Sequence, residues 1–109
     1  MRRVEFPGIG HWSITQPRKP PKDWAEGQGG SSDTGERAIK ILATLPMERQ
    51  RWVAYHEVAH AAFFRWLEEL PEDIRAVLWS SENTYEERFM VILEDYHRRL
   101  KSACPDLWP

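Results

Sequence analysis

Two histidines four residues apart, with a glutamate directly after the first, are the residues of this sequence whose types and spacing could do chemistry. They lie in His56-Glu57-Val58-Ala59-His60, which fits the pattern H-E-x-x-H. On a helix, residues four apart lie one above the other, so His56 and His60 can both bind one metal ion. Glu57 is rotated by about 100° from His56, where it can accept a proton from a water molecule on that ion. The pattern therefore predicts two metal ligands and a general base.

The same histidines could instead be an ordinary pair of core residues without a metal. Apolar residues recur around the motif at helical intervals, which predicts that His56 and His60 lie on the buried face of a helix with Trp52, Val53, Ala59, Phe63 and Leu67. Imidazole nitrogens buried there without a metal would need other polar partners. We therefore favour the metal site over the core pair.

The rest of the chain predicts a single α+β domain over residues 1–109. Three segments of alternating or mixed polarity predict a small, three-stranded, mostly antiparallel sheet within residues 2–42: Arg3–Phe6, His11–Ile14 and Glu36–Leu42. The stretch between the second and third segments is rich in proline and glycine, and we expect a flexible loop at Gly27–Asp33. Helical patterns then predict the motif helix over 46–70, a short helix over 71–79, a last helix over 85–101 and an irregular tail over 102–109.

Composition limits the function. The chain has 109 residues, a net charge of −2 and 41% hydrophobic residues with six Trp, which is typical of one folded domain and gives no sign of a nucleic-acid or membrane surface. No apolar run reaches the length of a membrane span. The single Cys104 excludes an internal disulfide and suits a reducing cytoplasm.

A catalytic zinc site needs a third protein ligand and an open position for water. The candidates downstream are Glu82, Glu86, Glu87, Glu94, Asp95 and His97. An apolar stripe on the last helix should face the core: Tyr85, Phe89, Ile92, Leu93, Tyr96 and Leu100. Glu86 falls about 70° from the centre of that stripe, whereas Glu87 falls nearly opposite it.

The start of the last helix separates these two acids further. Thr84-Tyr85-Glu86-Glu87 fits a capping box, in which Glu87 would accept a hydrogen bond from the backbone of Thr84. Glu86 is therefore the predicted third ligand, with Glu82 as the second candidate. The simpler alternative is that Glu86 and Glu87 are solvated acids of a first helical turn.

Four pieces of the chain together carry a resemblance to a known family: Arg3–Gly10, the strand that ends in Leu45-Pro46, Tyr55–Ala62 and Tyr85–Arg88. In that order, they resemble the minimal zinc metallopeptidase-like proteins of phages and prophages, which are related in design to the gluzincins and to the peptidase domain of the repressor-cleaving class. Tyr55–Ala61 also resembles the zinc helix of the membrane-bound ATP-dependent proteases, although the chain has no ATPase motif. In the gluzincin pattern the third ligand is a glutamate from a following helix, as Glu86 would be.

The resemblance implies a zinc-dependent peptidase that hydrolyses peptide bonds by a metal-activated water with Glu57 as general base. A peptide or protein would be its substrate, and the analogy with the family implies that it lies along the strand Glu36–Leu42 as an added strand. No second motif offers an obvious Tyr or His for the oxyanion. The alternative comes from another class: a non-catalytic, phage-encoded interaction protein or inhibitor of a host system, in which a host protein is the partner and the motif is structural or incidental.

Overall fold

The structure is a computed structural model that describes residues 2–78 and 84–107. The chain forms two compact units, Met1–Trp66 and Leu67–Pro109. A β-sheet and a long helix make up the first unit, and shorter helical segments follow in the second. The α+β class predicted from the sequence is therefore confirmed. No helix among the described residues combines the length and the apolar character needed to cross a membrane.

The sheet has four strands, in the order β1-β2-β4-β3: β1 Arg2–Phe6, β2 Gly10–Thr15, β3 Gly30–Asp33 and β4 Ala38–Ile41. β1 and β2 form an antiparallel hairpin in which Phe6 pairs with Gly10, and Gly8 in the turn has a φ of 92°, which favours glycine. β2 pairs with β4 in parallel, and β3 pairs with β4 antiparallel. The sheet is thus mixed and four-stranded, whereas the sequence predicted three mostly antiparallel strands.

The strand that the sequence did not predict is β3, which lies inside the predicted flexible loop Gly27–Asp33. Its sequence, Gly-Ser-Ser-Asp, has no apolar alternation and low strand propensity. Its extended conformation comes from pairing, because Gly30 to Asp33 align with Ile41 to Ala38 across a backbone ladder. This pairing also corrects the expectation that the strand Glu36–Leu42 forms the sheet edge, since β4 lies between β2 and β3 and the edges are β1 and β3.

One face of the sheet packs against the long helix, α1, which runs from Met47 to Leu67. The core cluster consists of Ile9, Trp12, Ile39, Ile41 and Ala61, with Phe6, Ile14, Val53, Ala54 and Phe64 packed around it. Because side chains alternate along a strand, Ile39 and Ile41 of β4 point to the same face, toward the helix residue Ala61. This packing holds the motif helix on the sheet.

Gln50 fixes the start of α1 through buried hydrogen bonds. Its side-chain amide donates to the carbonyl oxygens of Ala43 (3.0 Å) and Leu45 (2.8 Å), and its Oε1 accepts from the Gln16 side chain at 3.0 Å. These bonds satisfy a polar side chain that is otherwise buried. The helix was predicted over 46–70. It begins after Pro46, as expected, but ends at Leu67.

The second unit contains α2 (Glu72–Leu78), α3 (Thr84–Ala103) and a single 3₁₀ turn at Pro105–Leu107. The two predicted helices are therefore confirmed in type, and the tail is less irregular than expected. Trp79, where the short helix was predicted to end, and residues 108–109 of the predicted tail lie outside the described residues.

The face of α3 that was expected to be buried is mostly exposed. The apolar side chains predicted to face the core are mostly exposed, by 40–67% for Tyr85, Phe89, Ile92, Tyr96 and Leu100, and only Leu93 is half-buried. The most buried residues of the helix are Glu86 and Met90. Glu86 lies about 70° and Met90 about 110° from the centre of the apolar stripe, so hydrophobic periodicity alone did not identify the buried face.

Candidate metal centre

His56 and His60 converge on one point because both lie on the regular helix α1, one turn apart. Their Nε2 atoms are 3.1 Å apart, and the ring centroids are 4.8 Å apart with the ring planes inclined at 76°. Both residues are half-buried. The predicted pair of ligands is thus brought together as the spacing requires.

The distance between the two nitrogens fits a shared metal ion. With bonds of 2.0–2.1 Å from zinc to each nitrogen and tetrahedral angles, two ligand nitrogens lie about 3.3 Å apart. The observed 3.1 Å differs from this by a few tenths of an ångström. The same distance also suits a hydrogen bond between the rings, which requires one Nε2 to carry a proton and the other to accept it. Metal binding would instead use the lone pairs of both Nε2 atoms.

Glu57 supplies the carboxylate of this centre. Each of the three side chains offers a ligand atom, and these atoms of His56, Glu57 and His60 all lie within 4.8 Å of one another, so the group could bind a metal ion. The Glu57 side chain is only 6% exposed. A carboxylate held so close to two imidazoles can act as a ligand or exchange a proton with a water molecule between them.

The buried face of α1 is not the one predicted. The sequence placed the histidines on the buried face together with Trp52 and Phe63, but all four side chains are half-buried. The buried positions of the helix are Gln50, Glu57, Ala61 and Leu67, of which Leu67 alone had been predicted. The sheet contacts the helix through Val53, Ala54, Ala61 and Phe64, so Glu57 lies on the inner face and the histidine pair at its border. This arrangement leaves the imidazoles partly open to a ligand.

The structure buries the predicted third ligand, Glu86, which is 3% exposed on α3, and leaves Glu87 exposed. The expectation that Glu86 rather than Glu87 turns inward is confirmed. Hydrophobic periodicity does not explain this burial, because the apolar stripe that was expected to face the core is itself exposed. Glu86 belongs to the second unit and the histidine pair to the first. Its role as a ligand stays a prediction.

The other candidates differ in burial. Glu94 and His97 are half-buried, and Asp95 is exposed and accepts a hydrogen bond from Arg99 at 3.0 Å. Glu82 and the side chain of Thr84 lie outside the described residues, so the second-ranked ligand and the capping box also stay predictions.

Gly30 is a residue of the site that sequence reasoning missed. A Cβ atom at this position of β3 would lie 3.2 Å from Oε2 of Glu57, 2.4 Å from Cγ1 of Val53 and 2.9 Å from the carbonyl oxygen of Lys40. Only a residue without a side chain lets the strand approach the motif helix this closely. The available signal was a pair of glycines, Gly29 and Gly30, in a segment that could form a strand.

We expect Gly30→Ala to destabilise the protein by about 1–3 kcal/mol, because the added methyl group must displace Val53 or the backbone of Lys40. Chemical denaturation of the variant and of Ser31→Ala on the same strand would measure this effect. The control should lie within about 0.5 kcal/mol of the original protein. Equal stability of the two variants would show that β3 does not approach α1 as closely as described.

The chain matches no protein-family model, no curated protein and no solved structure. The site itself is a His-Glu-His group on one helix, held against a small sheet, that could bind a metal ion.

Proposed function

We propose that this protein is a zinc-dependent peptidase in which His56 and His60 hold the ion and Glu57 is the general base. The proposal is carried by one observation, the 3.1 Å separation of the two Nε2 atoms beside a buried carboxylate. Imidazole also suits copper, iron and nickel. We propose zinc because two histidines, one carboxylate and an open position form a known ligand set of catalytic zinc.

Glu86 is the proposed third ligand. A carboxylate that is only 3% exposed needs hydrogen-bond donors or cations around it, and a zinc ion would be one such cation. Glu87, the neighbouring acid, is exposed and has no such requirement. A glutamate from a helix that follows the motif is also what the resemblance to the gluzincin pattern implies.

Replacing Glu86 with glutamine tests this assignment. Glutamine keeps the shape of the side chain but removes the charge, so we expect Glu86→Gln to weaken zinc binding by at least about tenfold. Glu87→Gln, the matched control one residue further along the helix, should bind zinc as the original protein does. Competition with a chromophoric chelator would measure both affinities, and circular dichroism would verify that both variants fold. Equal affinities in folded variants would exclude Glu86 as a ligand.

Zinc, when bound, would lower the pKa of a water molecule in the open position to near neutrality and polarise a substrate carbonyl. Glu57 would accept the proton of that water as its oxygen attacks the carbonyl carbon, and would then donate the proton to the amine nitrogen that leaves. The position of Glu57 supports this role, because its carboxylate lies beside both imidazole nitrogens.

The substrate would lie along β3 rather than β4, since β3 is the edge strand nearest the motif. The outer side of β3 pairs with no strand in the described sheet, whereas β4 is paired on both sides. An extended peptide could add to this edge through main-chain hydrogen bonds. Gly30 would then bring the peptide close to Glu57, whose Oε2 lies next to the glycine.

A cleavage assay on a peptide library tests the proposed activity. We expect the purified protein to cleave at least one extended peptide, to lose this activity on treatment with a strong chelator and to regain it when zinc is added back. Mass spectrometry of the products would locate the cleaved bond. Binding of zinc at a ratio of one ion per chain without any cleavage would favour a metal that only stabilises the fold.

A further inference from the structure

The exposed apolar side chains of α3 form a continuous band along one side of the helix, here called the α3 stripe: Tyr85, Phe89, Ile92, Tyr96 and Leu100. Each is between 40% and 67% exposed. Monomeric proteins rarely expose contiguous apolar patches of more than a few hundred Å². We propose that the α3 stripe is the interface of a homodimer, in which it packs antiparallel against the same stripe of a second copy.

The spacing of the stripe suits packing of one helix on another. Tyr85, Phe89, Ile92 and Tyr96 follow intervals of four, three and four residues, which is the seam pattern of a two-helix coiled coil. The stripe from Tyr85 to Leu100 is about 24 Å long. A helix of this length presents about two heptads, which is enough for a short helix–helix contact between two folded chains.

The area of the stripe is sufficient for a small, specific interface. A large aromatic or aliphatic side chain that is half exposed leaves about 100 Å² to bury. In an antiparallel pair, four such side chains of each copy, Tyr85, Phe89, Ile92 and Tyr96, would oppose one another and bury roughly 800 Å² in total, which is the size of a weak, transient interface. We accordingly expect a weak dimer, with a dissociation constant in the micromolar range.

Charged residues beside the stripe make it complementary to itself. Arg88 and Asp95 are exposed, seven residues apart, on the same border of the stripe. In an antiparallel pair, Phe89 can face the partner's Ile92 while Tyr85 faces the partner's Tyr96. The same register brings Arg88 opposite the partner's Asp95. Because the dimer is symmetric, this ion pair forms twice. Asp95 already contacts Arg99 of its own helix at 3.0 Å, with both side chains more than half exposed, so it stays accessible to a second cation.

A parallel arrangement lacks this complementarity. Arg99 lies one heptad after Ile92, so in a parallel pair it would face the same arginine of the partner across the seam. Arg88 would then lie beside the apolar Leu93 rather than an acid. Like charges at the seam disfavour that arrangement, which leaves the antiparallel pair as the one that the charges support.

Sedimentation velocity over a range of micromolar concentrations tests the dimer. We expect the original protein to change from monomer to dimer as its concentration rises, and Ile92→Glu to stay monomeric at every concentration. Val91→Glu is the matched control, because Val91 is 53% exposed on the same helix but points about 100° away from Ile92. This variant should dimerise as the original protein does.

Exchanging the charges of Arg88 and Asp95 tests the antiparallel register without placing a charge in the apolar seam. Arg88→Asp and Asp95→Arg should each weaken the dimer by about tenfold, since each places two like-charged pairs across the interface. The double variant, which exchanges the two charges, should regain most of the lost affinity. Recovery in the double variant would support the antiparallel register.

Three results would overturn the proposal. The first is an original protein that is monomeric at all concentrations, which would mean that other parts of its own chain cover the stripe in solution. The second is a dimer that Ile92→Glu leaves intact, which would place the interface elsewhere. The third is a double charge variant no stronger than the single variants, which would exclude the antiparallel register.

Discussion

Glu57→Gln is expected to abolish peptide hydrolysis while zinc stays bound at His56 and His60. Glutamine has nearly the same shape as glutamate, so it fits the buried position beside Gly30 without a steric cost. It cannot accept a proton from the attacking water, and loss of a general base typically slows a reaction by about 100- to 10,000-fold. The rate of cleavage of the best peptide and the zinc content of the same sample would be measured together.

The matched control for this variant is Glu48→Gln, which removes an exposed carboxylate from the first turn of the same helix. We expect this control to keep both the zinc and the rate of hydrolysis. If Glu57→Gln cleaved peptide as fast as the original protein, Glu57 would not be the base. If it lost zinc as well as activity, Glu57 would be a ligand, which its distance from the histidine nitrogens also permits.

His60→Ala should lose zinc and, with it, the peptidase activity. Removing one of two imidazoles whose nitrogens are 3.1 Å apart leaves a single histidine, which cannot hold the ion with comparable affinity. The loss can be observed without activity. Zinc at about 100 times its dissociation constant would stabilise the original protein by about 2.7 kcal/mol and raise its Tm by several degrees, whereas the variant should not respond.

His11→Ala is the control for this experiment, because His11 is exposed on β2 and lies outside the motif. It should respond to zinc as the original protein does. The alternative to a metal site is the hydrogen bond between His56 and His60. In that case zinc would leave the Tm of the original protein unchanged, and His60→Ala would lower it equally with and without zinc.

The two variants together separate the possible roles of the motif. Activity lost in both, with zinc retained in Glu57→Gln, is the result expected of a peptidase. A biological effect lost only in His60→Ala would indicate a zinc ion that holds the fold together. An effect unchanged in both would leave the motif incidental and favour an interaction protein, for which the exposed α3 stripe provides a surface.

The amino-acid sequence alone determined the features that depend on neighbouring residues. The helix α1 follows from its composition and from Pro46 at its start, and the convergence of His56 and His60 follows from their spacing on that helix. The strands β1, β2 and β4 and the helices α2 and α3 were also predictable, because local alternation and helix-start signals mark them. These interactions act within a few residues, so their pattern is visible in the sequence.

The tertiary structure alone decided the features that depend on distant residues. β3 became a strand only because β4 offered a ladder, and Gly30 became part of the site only because β3 crosses beside Glu57. The buried faces of α1 and α3 both differ from the apolar stripes that predicted them, and the carboxylates of Glu57 and Glu86 lie inside while Tyr96 lies outside. Hydrophobic periodicity assumes that the most apolar face is buried, and it fails where buried carboxylates and an exposed apolar surface are both present.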